Sequence, residues 1–174
     1  MATFGKTTNG TLFTQSSADR KRVSAAVPAS SGTATKITLR TWVESGSTVA
    51  KGVIYSDNAG APNALLAVSD EVTISNTSEA EVDFPLSGAN QISIVSGTTY
   101  HIGFHHQDPG AANIDISRDS TASGNTSQAE TYSDGPSDPW GSVATATGVI
   151  DCYVTYTEAG GTTFDSWGYG GGYF

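Results

Sequence analysis

The chain has 174 residues, enough for one ordinary domain and too few for two. Charged residues make up 14% of it, against about 25% in a typical domain, and 17 acidic side chains against 8 basic ones leave a net charge of −9. That balance excludes a basic nucleic-acid groove, which needs clustered Lys and Arg, and no stretch approaches the ~18 apolar residues of a membrane-spanning helix.

Val, Ile, Tyr and Thr recur in short alternating runs, which predicts an all-β protein with an uncharged, hydroxyl-rich surface. A short first strand is expected near residues 4–8 and a second over 22–27, ended by Pro28 and the Gly32 loop. Residues 36–44 alternate cleanly. Ile37, Leu39, Thr41 and Val43 face one way, and Lys36, Thr38, Arg40, Trp42 and Glu44 the other, as in a sheet with one wet face. Residues 51–69, KGVIYSDNAGAPNALLAVS, read as strand, turn, strand. Val49, Lys51, Val53 and Tyr55 share one face, and a turn-forming cluster around Gly60 and Pro62 breaks the run. Further strands are expected over 71–75, 80–86, 91–95, 98–106 and 113–118, a weak one over 128–132, and a final one over 148–157. Pro85 predicts that the 80–86 strand either ends there or lies at an edge. Nine to eleven short strands at this spacing predict a single jelly-roll-like antiparallel β-sandwich over residues 1–159.

Residues 160–174 differ in kind: Phe164, Trp167, Tyr169, Tyr173 and Phe174 stand among glycines with one charge. The glycines disfavour an independent element. The aromatics suit an extended docking strap, because such side chains dominate interface energetics. The basic cluster Arg20, Lys21 and Arg22 reads as a solvated strand entrance that could also dock on an acidic neighbour.

Candidate chemistry is sparse. The single cysteine, Cys152, excludes an intrachain disulfide and alternates with Ile150, Val154 and Tyr156, so a buried thiol is expected. His101 and His105 share a strand face, while His106 shares the other with Tyr100, Ile102 and Phe104; they lack the spacing of a metal site. Asp57, Asn58, Asp134 and Asp138 lie in turns and offer oxygens to a structural calcium, although Asx-turn hydrogen bonding explains them as well. No cofactor is expected. No hydrolase, zincin, P-loop or Rossmann fingerprint occurs. Carboxylates such as Glu79, Glu81, Asp115 and Asp119 would have to be paired in space to serve a glycosidase, and the expectation is no enzyme. Trp42, Tyr132 and Trp140 are the aromatics with the sequence context of glycan-stacking platforms.

Several segments together resemble a group of small tailed-bacteriophage virion proteins, of head-decoration or minor-tail type. They are Thr3-Phe4-Gly5-Lys6-Thr7, the hairpin Val53-Ile54-Tyr55-Ser56-Asp57 with Leu65-Leu66-Ala67-Val68-Ser69, Gly97-Thr98-Thr99-Tyr100-His101-Ile102-Gly103, and Thr131-Tyr132-Ser133-Asp134-Gly135-Pro136. The match spans about residues 3–157 and excludes the tail. The resemblance implies a non-catalytic protein on the virion exterior, most readily a capsid decoration protein. It would dock through its termini on major capsid or tail subunits and form a homo-oligomer, a trimer by analogy with other exterior virion proteins. Residues 1–10 lack the apolar core of a secretory leader, so synthesis in the host cytoplasm without a signal peptide is expected. The alternative is a minor tail or fibre-associated adhesin that binds host surface glycan through Trp42, Tyr132 or Trp140.

Overall fold

A computed structural model describes residues 1–16, 18–110, 113–120 and 124–160. They form fourteen strands in chain order: β1 (Ala2–Gly5), β2 (Leu12–Ser16), β3 (Arg20–Ala26), β4 (Gly32–Val43), β5 (Thr48–Asn58), β6 (Ala61–Val68), β7 (Val72–Ile74), β8 (Ala80–Pro85), β9 (Ser93–Ile94), β10 (Tyr100–His106), β11 (Ile114–Arg118), β12 (Asn125–Ala129), β13 (Ala144–Ala146) and β14 (Cys152–Glu158). The all-β sandwich expected from the alternating runs is present. The count exceeds nine to eleven because β2 and β13 carry little apolar alternation, and the strand expected over 128–132 lies at β12 instead.

Every strand pairing is antiparallel. The first sheet runs β1-β14-β4-β11-β2, with β8 and β9 also on β4; the second runs β13-β12-β3-β10-β5-β6, with β7 on β5. The long β4 organises the first sheet. At Leu39 it meets Cys152 of β14 on one edge and Val82 of β8 on the other. Further along, Thr41 meets Ile116 of β11 on the edge that β14 has left. Strand β8 pairs with β4 alone and ends at Pro85, as its proline requires.

The core lies between the sheets. Ile37, Leu39 and Val43 of β4, Val154 and Tyr156 of β14 and Ile114 and Ile116 of β11 meet Ala50 and Ile54 of β5 and Ile102 and Phe104 of β10. Gly52 belongs to this layer, because a Cβ there would come within 2.8 Å of Ile37 and 3.0 Å of Phe84. The β5–β6 hairpin turns through Ala59 (φ 52°) and Gly60 (φ 88°). Two successive positive φ values match a primed two-residue turn, which suits the right-handed strand twist.

The second sheet is covered on its outer face as well. Residues 130–141 leave β12 and cross β3, β10 and β5 to reach β6, where Trp140 N donates to Asn63 O at 2.7 Å and Leu65 N to Asp138 Oδ1 at 3.0 Å. A small second core forms under this loop from Val23, Val53, Tyr55 and Trp140, with Leu65 packed on it. Alternation in β5 is therefore apolar on both faces.

Candidate functional site

The loop over the second sheet holds two of the side chains that the sequence suggested for recognition, Tyr132 and Trp140, and covers a third, Lys21. Lys21 is fully buried beneath it. Its ammonium lies 2.6 Å from Glu130 Oε2 and 2.5 Å from Ser137 Oγ, and 4.3 Å from the Trp140 ring centre. Burial lowers the Lys21 pKa against the pull of Glu130, and the lysine in turn holds the Glu130 carboxyl below its usual range against burial. Tyr55 closes the group, with its ring edge-on to Trp140 at 4.9 Å and its hydroxyl donating to Ser137 O at 3.0 Å.

These positions correct three expectations. Lys21 and Arg22 are not a solvated, docking-ready cluster. Strand β3 has residues 130–141 over one face and the first sheet over the other, so its alternating side chains enter covered spaces on both sides. Arg22 points between the sheets, donates to Asn125 Oδ1 at 3.3 Å, and has its pKa lowered to about 10 by burial and by Arg20 and Arg118. Arg20 alone of the three is half-exposed. Trp140, at 5% exposure, and Tyr132, at 7%, have no free ring face to offer a glycan. Tyr132 packs on His105 at 5.0 Å and donates its hydroxyl to Glu71 at 2.9 Å.

The three histidines are likewise engaged by neighbouring groups of the fold. His101 pairs with Asp57 at 2.8 Å. His105 lies under the loop, 3.2 Å from Glu130 O, with its pKa lowered by burial. His106 is buried in the core, where its Nδ1 donates to Gln107 O at 2.8 Å; its Nε2 therefore accepts from Ser16 Oγ at 3.0 Å. Burial brings its pKa down to about 4. Cys152 is buried, and burial raises its thiol pKa. Of the turn carboxylates, Asp57 accepts locally from Gly60 N at 3.2 Å, as Asx-type turn residues do, whereas Asp138 accepts from Leu65 N of β6 and pins the loop to that strand. Among the described residues no group of three His, Cys, Asp or Glu side chains gathers as a metal ion would need. The tail aromatics Phe164, Trp167, Tyr169, Tyr173 and Phe174 lie outside the described residues.

Among the described residues, the outer face of the first sheet at the β2-β11-β4 end is one surface open to a partner. Register sets Gln15, Asp115 and Trp42 side by side in one row across three strands. Phe13, one step along β2, is 51% exposed and meets Trp42 edge-on at 5.7 Å. Glu44 lies just past Trp42 and accepts from Gln15 Nε2 at 2.7 Å and from Asn113 Nδ2 at 2.9 Å. Asp115 is 3% exposed, and its Oδ1 has no hydrogen-bond partner. Burial raises its pKa, Gln15 and Trp42 oppose the rise by hydrogen bonding, and Glu44 adds to it. The other candidate carboxylates are spent elsewhere: Glu81 and Glu79 flank Arg40 at 2.7 and 3.7 Å, and Asp119 accepts from Val149 N. Of this patch, Trp42 was legible from its place on the polar face of its strand. Glu44 was legible on the same face, and Asp115 as a carboxylate to be placed in space; Phe13, Gln15 and Asn113 were not, because strand pairing brings them there.

Comparison with protein-family models, with curated proteins and with solved structures finds no match.

Proposed function

We propose that the protein is a non-catalytic structural component of a tailed-bacteriophage particle, borne on the exterior of the capsid and held on neighbouring subunits through its termini. The observation that carries this reading is that the start of β1 and the residues after β14 lie side by side at one end of the first sheet. Strand β1 pairs with β14 so that Ala2 lies opposite Tyr156. Met1, at 95% exposure, and Gly160 therefore leave the same end of the first sheet side by side, the latter just after Ala159 N donates to Ser31 O at 2.9 Å. Two neighbouring segments at one end of the sandwich, the start of β1 and the residues just after β14, suit a protein that docks on neighbours from that end, and many copies on one particle let weak contacts add. The resemblance to virion proteins and the glycine- and aromatic-rich sequence of residues 161–174 point the same way.

The test is a chain ending at Gly160. It keeps the melting temperature of the full chain, since no described strand is removed, but fails to join particles that lack the protein. Normal incorporation of the truncated chain would refute docking through the C-terminal end.

A further inference from the structure

We infer that the outer face of the first sheet, at Phe13, Trp42, Gln15, Glu44, Asn113 and Asp115, is a binding site for a neutral glycan, with one pyranose ring seated on the Phe13–Trp42 pair. The site is independent of docking through the termini, and either can fail without the other.

Three observations converge on this ligand class. First, among the described residues Phe13 is the most exposed aromatic side chain, and it is propped edge-on against a half-buried Trp42 instead of being sunk into the core. An aromatic face accepts the C–H side of a sugar ring, whose hydroxyls project outward at its rim. Second, those hydroxyls meet a ring of polar groups already fixed in place. Glu44 is held by two amide donors, and Gln15 and Glu44 are exposed at the edge of the patch. A small apolar platform with a few convergent polar groups is the usual build of a small-ligand site. Third, Asp115 lies in the row between Gln15 and Trp42, nine-tenths buried or more, with Oδ1 lacking a donor. A buried acceptor without a partner is costly, and a ligand hydroxyl supplies the missing donor.

Charge narrows the choice. With Asp115 and Glu44 on the patch and a net charge of −9 on the chain, phosphates, nucleic acid and acidic sugars are repelled. So is the same acidic face of a second copy. A neutral polyhydroxyl ligand brings donors without charge.

The test uses the intact chain with neutral hexose and N-acetylhexosamine oligosaccharides, read by saturation-transfer NMR and a glycan array. Saturation is expected on the C–H protons of at least one ring type. Affinity is expected to fall about tenfold or more for Phe13→Ala and for Asp115→Ala, with melting curves confirming that each variant is folded. The half-exposed Phe13 makes its substitution the safer of the two. Three results would overturn the site: no transfer to any sugar at roughly millimolar concentration, binding unchanged in Phe13→Ala, or a dimer in sedimentation that Phe13→Ala dissolves without affecting sugar.

Discussion

Replacing Trp140 with alanine removes the keystone of the loop that covers the second sheet. Trp140 is 5% exposed, lies edge-on to Tyr55 at 4.9 Å, and has the Lys21 ammonium 4.3 Å from its ring centre. Truncating a buried Trp or Phe to Ala costs about 3–5 kcal/mol. The lost aromatic pair and cation–π contact fall within that range, since both vanish with the ring. For a domain of this size each kcal/mol lowers the melting temperature by about 2–4 °C, so a drop of roughly 6–20 °C is expected. Equilibrium urea unfolding followed by circular dichroism gives the free energy directly, and Trp140→Phe should lose less than half as much. A loss below about 1 kcal/mol, the ordinary effect of a surface change, would refute the reasoning. It would mean that the ring packs on nothing and is free to meet a ligand after all.

Two further predictions concern buried charge. Lys21→Met leaves Glu130 partly buried without its cation and should destabilise by about 3–5 kcal/mol. The double variant Lys21→Met, Glu130→Gln should be more stable than the sum of the single losses by about 1 kcal/mol or more in a double-mutant cycle. A strictly additive cycle would contradict the 2.6 Å pair. His106, with its pKa lowered to about 4 from 6.5, stays neutral in the folded chain while the unfolded chain takes up a proton. Its contribution to stability is therefore whole above pH 6.5, falls as pH drops from 6.5 towards 4, and changes no further below that. The loss is on the order of 3 kcal/mol. Glu130, lowered by Lys21, adds a further loss below its unfolded value near 4.5. Replacing His106 by Gln should flatten the slope between pH 4 and 6.5, and an NMR titration of His106 near 6.5 would contradict the neutral, buried assignment.

Strand β4 was legible because a sheet with one wet face writes its burial at period two, and β5 and β10 because their runs of β-branched and aromatic residues are bounded by turn formers. Strand β2 was missed for a physical reason: Leu12 and Phe13 are exposed, so the strand carries no inward apolar signal. The segment Arg20-Lys21-Arg22 misled for a related one. A charge run is normally solvated, and only the crossing of residues 130–141, anchored at Asn63 and Leu65, buries Lys21. Trp140 and Tyr132 misled by the same fold-over. The aromatic-carboxylate patch was half visible, since Trp42 stood out on its strand. Apart from Glu44, its partners come from two other stretches of the chain, and pairing of β2, β11 and β4 sets Gln15 and Asp115 in one row with Trp42.

The proposed role requires attachment on the outside of a particle. Electron cryomicroscopy of purified particles, with copy number measured by quantitative mass spectrometry, tests that most directly. It predicts sandwich-shaped density in many regularly placed copies on the capsid exterior, with the shared end of β1 and β14 turned towards the neighbouring subunit. Absence of the protein from purified particles would contradict it.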